Sequence, residues 1–135
     1  MKKSMLLFTA LFSLSAQTGL ALDSDLSPPD HAGLPHAFDA GWEGEKTCEL
    51  LFEDEKVRVG RCVFPPGTGH EKHYHNPHFG YVLEGGTLLI RDSNGERRVT
   101  TRDGGEWSTT TINIHEAVNV GDSTTSYLIV EPRTP

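Results

Sequence analysis

Several common devices are missing from this chain of 135 residues. No Gly-x-Ser-x-Gly elbow and no phosphate-binding loop occurs, and two cysteines, Cys48 and Cys62, cannot make a zinc ribbon. The usual hydrolase, nucleotide-binding and structural-zinc readings are therefore excluded. Positive charge is also scarce. Twelve Lys and Arg face 19 Asp and Glu, a net charge of −7, which argues against nucleic acid as a partner. The acids are scattered, as in "LFEDEKVRVGR", and read as a solvated surface rather than an interaction tail. No helical stripe of ten residues, internal repeat or low-complexity tract is seen. The length suits one domain, and 14 Gly with 8 Pro describe a turn-rich globular one.

One apolar run stands out, Met5 to Leu14, preceded by Lys2 and Lys3 and followed by small residues ending at Ala21. It falls short of the roughly 20 residues that span a bilayer, so residues 1–21 read as a cleaved secretory signal peptide that leaves no stable membrane anchor. The expected location is periplasmic or secreted. Without the leader the balance is 10 basic to 19 acidic residues. Residues 22–41 carry three prolines and no periodicity, and read as a flexible or surface-hugging N-terminal arm in which His31 and His36 are expected to face solvent. Residues 42–135 form the domain.

Within the domain, "KTCELLF", "KVRVGRCVF", "FGYVLEG", "TLLIRD", "RRVTTR", "HEAVNV" and "SYLIVEP" are short strand-like runs. "FPPGTG", "EGG", "DSNGE", "RDGG" and "VGDS" punctuate them as turns. The expected fold class is all-β, an antiparallel jelly roll, which lets short strands bury one face each and limits exposed edges.

Four of the seven histidines fall in "GHEKHYHNPHFGYVLEGG". His73 and His75 sit at i and i+2, which in a strand share one face and can reach one point. His78 follows a turn pair, Asn76-Pro77, and His115 lies far along the chain in "INIHEAVNVGD". Imidazole clusters suit transition metals rather than Mg or Ca. His70 lies in the "PPGTG" turn region and reads as a rim residue or a group behind the ligands. Trp107, Tyr81 and Tyr127 read as core aromatics, with Trp107 also a candidate to line a pocket. Glu71, Glu84 and Glu106 are nearby acids to which no role is assigned.

These residues resemble the cupins, double-stranded β-helix proteins whose two short motifs supply metal ligands. The first motif is Gly, five residues, His, one residue, His, three or four residues, Glu, six residues, Gly. Gly67, His73 and His75 match it, and six residues separate His78 from Gly85. In the second motif Gly104, His115 and Asn119 keep the spacing, while Thr110 and Ile112 replace its proline and glycine. "FPPG", "YVLEGG" and the closing "NVGDSTTSYLIVE" extend the likeness over about residues 42 to 132. His78 replaces the motif's glutamate one residue early.

The resemblance implies a cupin barrel with a divalent transition metal (Fe, Mn, Zn or Ni) on His73, His75 and His115, and with His78 in the glutamate slot. A neutral ligand set leaves more positive charge on the metal and favours an anionic ligand. The implied function is a metal-dependent enzyme acting on a small, anionic organic molecule, with dioxygenase-type chemistry favoured. The alternative is a non-catalytic module that binds a metal or small ligand. The family also implies a homodimer.

Cys48 and Cys62 lie seven residues on either side of Glu55, so a turn centred there sets them opposite each other in a hairpin, within disulfide range. A centre displaced by one residue would put them on opposite faces.

Overall fold

Alternation of buried and exposed residues sets the strands. From Val57 to Phe64, Gly60, Cys62 and Phe64 point inward while Arg61 and Val63 point out; from His78 to Glu84, His78, Gly80 and Val82 do the same against Phe79, Tyr81 and Leu83. The computed structural model describes residues 31–133. The leader, residues 1–21, and the first part of the arm lie outside the described residues.

Among the described residues eleven strands follow in order: β1 Gly41–Trp42, β2 Glu45–Lys46, β3 Cys48–Glu53, β4 Val57–Phe64, β5 Gly69–His75, β6 His78–Glu84, β7 Thr87–Asp92, β8 Gly95–Thr100, β9 Glu106–Thr109, β10 Asn113–Asn119 and β11 Thr125–Pro132. Apart from the small β1–β2 hairpin, they form two antiparallel sheets ordered β5-β10-β7-β8 and β3-β4-β11-β6-β9. This is the expected all-β jelly roll. Phe64, Val82, Tyr127 and Ile129 of the larger sheet meet Leu88, Ile90 and Ala117 of the smaller in one core. Each fully buried aliphatic or aromatic side chain there stabilises the fold by roughly 1.5–3 kcal/mol relative to exposure. Among the described residues no helix is long and apolar enough to cross a membrane.

The β3–β4 hairpin shows how register serves chemistry. Near its turn Glu53 opposes Arg58 and Phe52 opposes Val59, a centre between residues 55 and 56 that would face Cys48 toward Val63. A bulge between Leu50 and Phe52 absorbs one residue, and beyond it Leu50 opposes Gly60 and Cys48 opposes Cys62. The two cysteines form a disulfide, as the sequence predicts. Their register depends on the bulge, not on the turn alone.

The described part of the arm hugs the barrel, and this corrects the expectation for His36. His36 makes a parallel bridge to Tyr74 at the free edge of β5, fixed by Ala37 N–H donating to Tyr74 O (2.9 Å) and Tyr74 N–H to Pro35 O (3.1 Å). An edge strand offers such unpaired groups, and the arm takes them up. His36, Ala37, Phe38 and Ala40 are buried as a result, and of the two arm histidines only His31 keeps partial exposure.

Candidate metal centre

His73 and His75 project inward from β5, and His115 comes from β10 directly opposite His73 in the ladder. One nitrogen of each lies within 4.8 Å of the other two. The sequence-predicted trio thus converges between the sheets. His78 opens β6 next to it, its ring centroid 4.6 Å from that of His75.

The partners of these rings fix which nitrogen carries the proton. His73 Nδ1–H donates to the carbonyl of Glu71 (2.6 Å), and His115 Nδ1–H donates to Asn113 Oδ1. Each leaves Nε2 bare. His75 Nε2 lies 2.9 Å from His73 Nε2. If His75 is protonated at Nε2, it donates to His73 but leaves its own Nδ1, which has no hydrogen-bond partner, orphaned in the interior. With the proton on Nδ1, facing Glu131 Oε1 at 3.9 Å, two bare lone pairs oppose each other instead. A cation taken by both Nε2 atoms removes the opposition of lone pairs and leaves the Nδ1 proton facing the Glu131 carboxylate. A spacing of 2.9 Å suits neighbouring ligands at metal–nitrogen distances of about 2.0–2.1 Å. The residues fit a metal.

Burial holds these imidazoles neutral, the form that binds a cation. It lowers His73 to about 4, against the opposing hydrogen bond from Glu71. It lowers His115 to about 3 with help from the charge of His73, and puts His75 well below its ordinary value. His78 is lowered too, again chiefly by burial. Its nitrogens are already engaged: Nδ1–H donates to Asn76 O (2.8 Å), and Nε2 accepts from Trp107 Nε1–H (3.2 Å). A metal on His78 Nε2 would have to displace Trp107.

The acid inside the site is one the sequence did not single out. Glu131 of β11 is buried and groups with His75 and His78 within 4.8 Å. His36 Nδ1 accepts from Phe38 N–H (3.1 Å), so its Nε2–H donates to Glu131 (2.9 and 3.1 Å). The arm therefore holds the carboxylate that faces His75. A carboxylate behind a ligating histidine fixes its tautomer and raises its basicity. The signal available was the period-two pattern of β11, which turns Tyr127, Ile129 and Glu131 to the same face. By contrast Glu71 accepts from Glu43 N–H at the surface, Glu84 bonds Ser126, and Glu106 is exposed.

For two other residues the structure selects among the readings the sequence offered. His70 is fully buried behind the ligand set rather than on a rim: its ring packs at a tilt against His73 (centroids 3.8 Å) and its Nε2 lies 3.8 Å from Cys48 Sγ. Burial lowers it to about 3, with His73 adding to the effect. Trp107 does both things expected of it, packing against the core and lining a cavity of about 590 Å³ that reaches His75, His78 and His115.

No family model matches the sequence, and no curated protein is significantly similar to it. Solved structures are similar. A cupin domain from Bordetella pertussis Tohama I is 20% identical, with 75% of this chain and 97% of that one covered and a TM-score of 0.61. The polyketide cyclase RemF from Streptomyces resistomycificus is 17% identical over 79% of each chain, with a TM-score of 0.55. An RmlC-like cupin family protein with a double-stranded β-helix fold, from Methanocaldococcus jannaschii, is 16% identical over 69% of this chain and 87% of that one, with a TM-score of 0.52. Two antiparallel sheets enclosing inward histidines, and this likeness to solved structures, show that the chain has the double-stranded β-helix fold seen in cupins.

Proposed function

We propose that the protein is a metal-dependent cupin that acts on a small anionic organic molecule in the barrel cavity, with dioxygenase-type chemistry the favoured class. The observation that carries this reading is the convergence of three neutral imidazoles beside a cavity open to small molecules. His73, His75 and His115 would hold the ion, and Fe, Mn, Zn or Ni suits such a set. A bound ion would supply Lewis acidity and, if iron, the capacity to engage O₂. The chain's own residues do the rest. Glu71 O, Asn113 and Glu131 orient the rings, apolar side chains line much of the cavity, and His78 with Trp107 borders the space beside the proposed ligands.

The second reading, a binding module without catalysis, has its own support. Among the described residues the one buried carboxylate of the site, Glu131, is held by His36, and His78 Nε2 is engaged by Trp107, so no free base is presented to the cavity. Elemental analysis of purified protein, followed by oxygen uptake of the Fe(II)-loaded form with small organic acids, separates the two. Metal and uptake both lost in His73→Ala support the enzyme. Metal held without turnover of any acid favours the module, and no metal in the wild type defeats both.

The reading places the protein in the periplasm or outside the cell, on the leader pattern, and as a homodimer. Exposed Phe52, Val63, Phe79, Tyr81 and Leu83 on the outer face of the larger sheet support pairing. Light scattering at micromolar concentration tests it, a monomeric mass counting against.

A further inference from the structure

The cavity has a direction. On the inner face of β6, His78 and Val82 are four residues apart, about 13 Å at roughly 3.3 Å per residue. The histidines mark one end. At the other, Val82 N–H donates to Gly105 O (2.8 Å), Gly104 N–H to Val82 O (2.9 Å) and Gly105 N–H to Arg102 O (2.9 Å), so a tight turn sets Arg102 beside the end of β6. Between the ends the wall is apolar: Val82, Leu88, Ile90, Val99, Trp107 and Tyr127.

Charge on this lining is unevenly available. Arg97 opposes Ile90 on β8, at the histidine end, and is ion-paired with Asp92. Glu106 opposes Tyr81 and shares its outward face. Arg102 is exposed and forms no ion pair with any described residue, in a chain whose net charge is −7. An uncommitted guanidinium at the end of an apolar lane is a fork for one carboxylate.

Resting on the reading of the histidine cluster as the metal site, we propose that the cavity takes an elongated monoanion with an apolar body, its head on Arg102 and its far end beside His75 and His115. A small polar diacid does not fit this lane. Its body would leave aliphatic walls wet, and its second charge would lie among them without a partner. An eight-carbon chain matches the length and buries its methylenes against the walls.

Calorimetric titration of the zinc-loaded protein with octanoate, butanoate and octan-1-ol tests this. Octanoate should bind at least about tenfold more tightly than either of the others, because each lacks one of the two features recognised. Arg102→Gln should cost octanoate about tenfold and leave octan-1-ol unchanged, with Arg102→Lys restoring part of the loss. Repeating the titration after chelation separates this inference from the metal reading. Binding that persists without metal and still depends on Arg102 supports it even if the metal site is wrong. Octanoate affinity that vanishes with the metal and ignores Arg102 overturns it while leaving the metal reading intact. No octanoate binding in any form also overturns it.

Discussion

The two flanks of the barrel are finished in different ways. On one, residues 31–42 run along the edge of β5, lay Phe38 on Gly60 and Trp42 on Gly69, and deliver His36 to Glu131. On the other, β8 and β9 end their sheets and among the described residues no segment covers the gap, so Arg97, Arg102 and Trp107 border a cavity instead. Both flanks need something between the sheets, because unfilled apolar space forfeits contact energy. One uses the chain itself. The other leaves room for a ligand, and the histidines lie between them, tied to the closed side by Glu131 and opened to the other by His75 and His115.

The largest effect should come from removing one of the histidines that lie between the flanks. His73→Ala or His115→Ala would take one of the three proposed ligands and should release most of the metal after dialysis against a weak chelator. His78→Ala should retain most of it, since His78 is engaged with Asn76 and Trp107. His78→Glu should keep a metal and lower its Lewis acidity by adding negative charge. Elemental analysis of the four proteins decides, and full retention in His73→Ala and His115→Ala would sink the site.

Acid comes next. The folded protein holds His70, His73 and His115 at about 3 to 4, while the unfolded chain titrates them near 6.5. Below 6.5 the unfolded state binds more protons. The stability these groups contribute is therefore complete above that pH and is lost as pH falls toward the folded values, at up to about 1.4 kcal/mol per pH unit for each histidine. Urea unfolding of chelator-treated protein should show a plateau above pH 7 and a steep decline below 6. A flat profile from pH 7 to 4.5 would mean that the cluster is not buried neutral.

Glu131 tests the closed flank at the metal. Glu131→Gln keeps the shape but removes the charge facing His75, and should weaken metal binding by about 10- to 100-fold with His73 and His115 still in place. His36→Ala should follow in the same direction and by less, because it loosens Glu131 without removing it. A Co(II) absorption spectrum distinguishes an altered ligand field from simple loss of fold. Unchanged affinity and spectrum in Glu131→Gln would show that the carboxylate does not act through His75.

What could be read beforehand followed from local pattern. Strand alternation, turn residues and the i, i+2 pair are short-range signals, and they foretold the jelly roll and the placement of His73 and His75. The bulge that aligns Cys48 with Cys62 has no such signature, since Leu51 looks like any strand residue until its partners are known. His36 was misjudged for a related reason. Its burial comes from the unpaired edge of β5 and from Glu131, 95 residues away, neither of which is visible from the arm. Glu131 was passed over because its strand is otherwise apolar, although the alternation of β11 turns it to the same face as Tyr127 and Ile129. The cavity, too, depends on which edges face each other, and only topology tells that.

The finest contrast between the flanks lies in two glycines. A Cβ at Gly60 would meet Phe38 Cε1 at 2.2 Å, and one at Gly80 would meet Trp107 Cε2 and Cζ2 at 2.2 Å, so an aromatic ring lies flat on the backbone in both places. The overlap is equal, but the room to relieve it is not. Phe38 is buried with Arg58 stacked over it at 5.0 Å, so Gly60→Ala must push the arm off β4 and should destabilise by about 1–3 kcal/mol in urea. Trp107 borders the cavity and can swing into it. Gly80→Ala should therefore cost less, within about 1 kcal/mol, while breaking the hydrogen bond to His78 and narrowing the lane, so that binding of octanoate falls by more than stability does. If the two substitutions destabilise equally and neither changes binding, the open flank is packed as tightly as the closed one, and the cavity is no passage to the histidines.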